Sequence, residues 1–269
     1  MDLDRTIKRI NKTEIRYFQS YKDEFVESQN QSYKLPENYI WSHHNPVYRL
    51  VSICLYRFVV LFTFFYFRFC MHAKVENRAV LKQCSGSGCF LYGNHTQPLG
   101  DVFNPLRILS PKRGYVIASP ANLGIPMLGP LLPMLGALPI PESVSGMKKL
   151  MAAISLRIQE GSCVIIYPEA HVWPWYTGIR PFPETSLGFA VENNAPAFCM
   201  TTTYQSRKHN KKPKITIYLD GPFYPDHSIP KKKQKEKLHH EIYNCMLCRS
   251  KNSTFDYIRY YKADGSMGE

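Results

Sequence analysis

A chain of 269 residues, 44% of them hydrophobic, can bury one substantial core, and no internal repeat divides it, so a single α/β domain with terminal additions is expected rather than two domains. The formal net charge of +13 implies attraction to something anionic: phospholipid headgroups, an acidic carrier protein, a phosphorylated ligand or nucleic acid. Eight scattered cysteines exclude a small disulfide scaffold, and the polar stretch from Met1 to Arg9 is no secretory signal, so a reducing interior is expected.

Residues 1–45 are polar, with Leu3, Ile7, Ile10, Tyr17, Tyr21 and Phe25 spaced as on one side of a helix; this predicts an appended amphipathic helical segment. Residues 46–72 form a second unit, whose core at residues 50–67 is apolar except for Arg57 and bounded by Arg49 and Arg68. Its length is near the minimum for a membrane span. An arginine near the bilayer centre costs about 2.5–3.5 kcal/mol on insertion scales unless it snorkels, so a half-embedded or in-plane helix fits better. The many aromatics and flanking arginines suit the interface. A buried core helix is the other reading, because the uncharged stretch at 58–67 is short.

The third unit, 73–269, alternates strands and helices. A strand at 89–92 follows the turn-like Ser85-Gly86-Ser87-Gly88, and another is expected at 115–118. Residues 123–140 are apolar but broken by Gly124, Pro126, Gly129, Pro130, Pro133, Gly136 and Pro139, which rules out a regular spanning helix. They form either an irregular surface suited to lipid or an acyl-chain tunnel, or a buried connecting loop. A helix at 147–160, capped by Ser143 or Ser145 and stopped by Gly161, leads to the strand at 163–167. A helix at 184–194 and strands at 197–203 and 215–219 follow. Basic runs at 207–212 and 231–237 are solvated faces or, against anionic lipid, add about 1 kcal/mol of attraction per lysine. No nucleic-acid motif surrounds them, so no nucleic-acid partner is expected. Cys245-x-x-Cys248 after His239-His240 invites a zinc reading, but no second ligand pair has finger spacing. Leu238, Ile242, Cys245 and Met246 recur at helical spacing, which points to a buried helix face and no metal.

Chemistry concentrates in Tyr92-Gly93-Asn94-His95-Thr96-Gln97-Pro98-Leu99-Gly100-Asp101, where an imidazole and a carboxylate stand at the carboxyl end of a strand. Such a pair can deprotonate a hydroxyl: the imidazole is the general base, and the carboxylate fixes its tautomer and stabilises the imidazolium. Asn94, Thr96 and Gln97 surround the pair with short polar groups able to orient a substrate. The bland alternative makes His95 a helix-start residue and Asp101 a solvated carboxylate. A second polar cluster, Pro168-Glu169-Ala170-His171, ends another strand, so both converge on one sheet edge.

Four blocks in order carry a resemblance: Asn94-His95 with Asp101; Ile125-Pro126-Met127-Leu128-Gly129 through Gly136-Ala137-Leu138-Pro139-Ile140; Tyr167-Pro168-Glu169; and Phe182 with residues 190–196. Over roughly residues 85–205 the chain resembles the glycerolipid acyltransferase family, the lysophosphatidic acid acyltransferases. That resemblance implies an α/β fold with one acyltransferase-type domain, a mixed central sheet flanked by helices, and an N-terminal membrane-associated helical segment. It implies acyl transfer from an acyl-coenzyme A or acyl-carrier-protein thioester to a hydroxyl of a lysophospholipid or related lipid, at a membrane surface, with no cofactor beyond that co-substrate and no metal. His95 would be the base, Asp101 its orienting partner, and Glu169 part of acceptor recognition; the active site would face the cytoplasm.

Two departures set expectations for the structure. The family places four residues between histidine and aspartate and this chain has five, which in a continuous helix would rotate Asp101 away by ~100° unless Pro98 and Gly100 absorb the extra residue in a turn. Where the family carries cations for the acceptor phosphate, this chain has Pro141-Glu142 and Ala170-His171-Val172. Arg180 and His171 are the candidate substitutes, and Trp173-Pro174-Trp175-Tyr176 between them would stack on an acceptor, anchor at the interface or pack a surface loop. Backbone N–H groups after Asn94 would serve the oxyanion. The rival reading is a catalytically inactive lipid-binding or membrane-shaping protein of the same fold.

Overall fold

The computed structural model describes residues 14–26, 30–207 and 212–263, without the side chain of Cys70. The chain enters through strand β1 (Glu14–Phe18) and an irregular arm that reaches helix α1 (Pro46–Phe65). Asn45 caps α1 by accepting the N–H groups of Val47 and Tyr48, with Pro46 in the first turn. A π-helical turn, Tyr66–Met71, extends α1 until His72 leaves it at a left-handed φ of 47°. There follow β2 (Lys74–Glu76), β3 (Cys89–Gly93), α2 (Gly100–Leu109), β4 (Gly114–Ala118), β5 (Ala137–Pro139), α3 (Val144–Gln159), β6 (Cys163–Ile166), α4 (Gly188–Glu192), β7 (Ala197–Gln205), β8 (Lys214–Phe223), α5 (Lys231–Ser250) and β9 (Ile258–Lys262).

Seven strands form one sheet in the order β2-β8-β7-β3-β6-β4-β5. From β7 to β5 the neighbours are parallel, β8 turns back antiparallel on β7, and β2 runs parallel to β8, so the sheet is mixed and flanked by helices as expected for the α/β class. The central strand β3 is buried along its whole length, and its alternation divides two core layers. Phe90 and Tyr92 join Leu150, Ile154, Leu238, Ile242 and Met246 on one face; Cys89 and Leu91 join Phe67, Met71, Ile108 and Ile217 on the other. Tyr92 pairs with Ile166, which sets the residues after β3 and after β6 side by side at one edge.

Several elements differ from the sequence reading. Described residues of the first 45 contain a strand and turns but no helix: Tyr17 projects from β1, Phe18 is buried, and β1 pairs in parallel with β9 as a separate two-stranded sheet. Tertiary pairing with a strand nearly the whole chain away overrides the local helical spacing. Leu3, Ile7 and Ile10 lie outside the described residues. The helix expected at 184–194 is a 3-10 turn followed by the short α4. Residues 123–140 are irregular as expected, yet end in the strand β5. A Cβ at Gly129 would stand 1.9 Å from the Leu123 carbonyl, and Gly136 holds φ +99° against Gly114, so both breakers are required by close backbone approach.

Candidate active site

β3 ends at Gly93, where only hydrogen fits because a Cβ would come 2.8 Å from the Tyr167 ring. Asn94 fastens the next residues to β7: its Nδ2 donates to the Thr202 carbonyl at 3.0 Å and its Oδ1 accepts the Thr202 N–H at 2.8 Å. The chain turns at Pro98-Leu99 and becomes helical only at Gly100. The extra residue between His95 and Asp101 is therefore taken up before the helix, and the two side chains meet, His95 Nδ1 to Asp101 Oδ2, at 2.8 Å. The same oxygen accepts the N–H groups of Thr96 at 2.9 Å and Gln97 at 2.8 Å. Asp101 is 1% exposed, so its charge rests on these three donors. The N–H groups after Asn94 that the sequence offers to an oxyanion are thus occupied by carboxylates, those of Thr96 and Gln97 by Asp101 and that of His95 by Glu169.

The His95 ring stacks on Tyr167, centroids 4.4 Å apart and planes 15° from parallel. Tyr167 in turn donates its hydroxyl to the Asp101 carbonyl at 2.6 Å. Burial, and then the Asp101 charge, hold this phenol well above its usual pKa, so it stays a donor. Sequence reasoning missed Tyr167 as a support for the imidazole; its place directly before Pro168-Glu169 was the available signal. It also missed Tyr204, whose hydroxyl meets Thr96 Oγ1 at 2.7 Å and Gln97 Nε2 at 2.9 Å. Asn94, Thr96 and Gln97 are buried and engaged inside the protein, which makes them holders of the loop.

Glu169, itself held by Arg180, grips the same loop by its backbone. Glu169 Oε2 accepts the His95 N–H at 3.0 Å, while the His95 carbonyl accepts the Trp173 N–H at 3.0 Å and the Thr96 carbonyl that of Trp175 at 2.8 Å. Arg180 donates its backbone N–H to Glu169 Oε1 at 2.9 Å and Nη2 to Oε2 at 3.0 Å, and it also donates to the His171 and Tyr21 carbonyls. Its guanidinium lies 4.9 Å over the Trp173 ring. With 0% exposure Arg180 has no surface to offer a phosphate, which removes it as the substitute cation. His171 is partly exposed, with Nδ1 3.7 Å from Glu24 Oε1. Glu142 is exposed beside Lys34 and confronts no buried phosphate site.

No protein-family model matches the chain, and no curated protein matches it. Among solved structures it is similar to the 1-acyl-sn-glycerophosphate (LPA) acyltransferase PlsC of Thermotoga maritima, with a TM-score of 0.53 and 13% identity over 76% of this chain and 83% of that one. The chain has the acyltransferase fold.

Two aromatic assemblies flank the dyad on that fold. Trp173 is fully buried among Phe18, Tyr21, Phe25, Tyr176 and Tyr260, so it neither stacks on a ligand nor reaches the interface: it packs the terminal segments against the loop that carries His95. On the other side, Phe103 of α2 packs on Phe62 and Tyr66, which brings the carboxyl end of α1 against the helix that carries Asp101. The polarity of α1 is inverted for a helix in water. Its buried side carries Ser52, Tyr56 and Thr63, with Ser52 bonded to the Met134 carbonyl and Tyr56 accepting the Gly114 N–H. Its outer side exposes Leu50, Val51, Phe58, Leu61, Phe62 and Phe65. This outer face rejects the core-helix reading. Met127, at 89% exposure, Leu128, Leu99 and Val102 add further exposed apolar groups, the last two beside the dyad.

His239 and His240, considered as zinc ligands, are engaged with the Phe182 carbonyl and Asn244, while Leu238, Ile242 and Met246 form the buried face of α5.

Proposed function

We propose that this protein is a membrane-surface O-acyltransferase that moves a fatty acyl group from an acyl-coenzyme A or acyl-carrier-protein thioester to a hydroxyl of a lysophospholipid or related lipid. The observation that carries the reading is the His95–Asp101 contact at 2.8 Å on a ring that keeps 19% of its side-chain surface, beside exposed Leu99 and Val102.

Asp101 accepts from Nδ1 and so leaves Nε2 with the lone pair. Nε2 takes the proton of the acceptor hydroxyl as that oxygen attacks the thioester carbonyl. The tetrahedral intermediate collapses, the carbon–sulfur bond breaks, and the imidazolium returns the proton to the departing thiolate. Gly100 N–H, at the uncapped start of α2 and without a bond partner among the described residues, is the donor this reading offers to the developing oxyanion. The outer face of α1, apolar but for the exposed Arg57, whose long stem can snorkel to the headgroups, fits insertion into one leaflet: its 20 residues span about 30 Å, as long as a hydrocarbon core is thick, but its inner side is fixed to the domain. Donor chemistry and the free thiols of the described cysteines fit a cytoplasmic face.

The test is thiol release from acyl-coenzyme A and acyl-carrier protein across a lysolipid panel in vesicles. His95→Ala should lose at least the ~10²–10⁴ that general-base catalysis supplies. Unchanged turnover in that variant would refute the role of His95, and no thiol release from the parent would leave the inactive lipid-binding protein as the better reading.

A further inference from the structure

At the far end of α2 from Asp101, about 9 Å along the helix axis, the surface carries a groove of about 340 Å³ lined by Lys74, Val75, Arg78, Arg107 and Phe67 among others. Lys74 is compensated by Glu76 at 2.5 Å, but neither guanidinium has a carboxylate partner among the described residues. Arg78 is held in place by donating Nε to the Ile108 carbonyl at 2.9 Å and Nη2 to that of Ser110 at 2.7 Å, which caps the end of α2. Arg107 lies 4.2 Å over Phe67 and 5.2 Å over Phe64. Phe64 belongs to the exposed apolar face of α1, so one guanidinium bridges the greasy face and the cationic groove.

We propose that this groove binds the phosphate of an anionic phospholipid headgroup in the membrane that α1 enters, as a docking site separate from the dyad. Two guanidiniums without a carboxylate partner among the described residues suit phosphate oxygens: Arg107 offers its N–H donors, and Arg78, part of whose donors cap α2, adds fixed positive charge. The adjacent aromatic face gives the acyl chains of the same lipid an apolar neighbour, which a soluble phosphate would not use. Burial, and then the charge of Arg78, disfavour the charged form of Arg107, a cost that a bound anion relieves. The assignment rests on the membrane placement of α1 and is independent of the chemistry at His95.

Flotation of the full chain with phosphatidylcholine vesicles, with and without phosphatidic acid, tests the site. Arg107→Met keeps an apolar stem on the two rings while removing the charge. It should bind neutral vesicles like the parent and anionic vesicles about fivefold more weakly. Lys232→Met, an exposed charge on α5, is the control and should weaken anionic binding by less than about twofold. Equal losses in the two variants would overturn the site in favour of a diffuse field, and displacement of the anionic increment by free coenzyme A would overturn it in favour of the donor's phosphates. If no protein binds neutral vesicles, the membrane placement of α1 fails instead. Should Arg107→Met unfold, phenylglyoxal labelling of the unaltered protein decides: phosphatidic acid vesicles should protect Arg107 where phosphatidylcholine vesicles do not, and equal labelling would overturn the site.

Discussion

Glu169 holds His95 by its backbone rather than by its ring: one carboxylate oxygen accepts the His95 N–H at 3.0 Å and the Arg180 guanidinium at the same distance. The position of the candidate base thus depends on a fully buried ion pair. Breaking such a pair strands a charge, and exchanging both partners does not. Arg180→Met should therefore lower unfolding stability by about 3–5 kcal/mol, and adding Glu169→Gln should restore much of it. Denaturant titrations of the single and double variants check this; equal stabilities would contradict the burial of the pair.

Asp101→Asn preserves shape but removes the charge that serves three donors. By analogy with triads in which the aspartate is so replaced, kcat should fall by about 10⁴. Rates of thiol release with saturating donor and acceptor measure it, and a loss under tenfold would mean that Asp101 does not set the tautomer.

Ala170 sits at φ 66°, a conformation that glycine adopts freely and that costs other L-residues about 1–2 kcal/mol. Ala170→Gly should raise stability by up to ~1 kcal/mol after the added chain entropy is counted. A lower thermal midpoint in the variant would count against this backbone.

Buried phenols make the fold sensitive to alkali. Burial pushes Tyr260 up to about 12 and drives Tyr92 and Tyr204 higher. In this range the folded chain keeps protons that the unfolded chain releases, so stability is complete below pH 10 and falls as pH rises toward 12 and beyond. Urea midpoints across pH 8–12 should decline above pH 10; a flat profile would show that these hydroxyls ionise freely.

Leu61 is exposed on the outer face of α1. Leu61→Asp should leave unfolding in detergent-free buffer within ±0.5 kcal/mol of the parent while sharply reducing flotation with neutral vesicles. Intact flotation would show that this face does not enter lipid.

Local chemistry wrote much of this protein into its sequence. The apolar runs of β3 and β6, the Ser143 cap and the largely apolar stretch of α1 are recognisable because each depends on neighbours within a few positions. The meeting of His95 with Asp101 was legible as a motif, but its geometry was not: whether five intervening residues fit depends on where helix begins, and the packing of Pro98 to Gly100 fixes that. Tertiary structure alone decided that Arg180 turns inward to Glu169, that Trp173 knits the chain ends to the loop, and that residues 14–18 pair as a strand with residues 258–262. Each of these joins partners far apart along the chain or hides a charge, and burial, which selects them, is a property of the assembled fold that no spacing of residue types encodes.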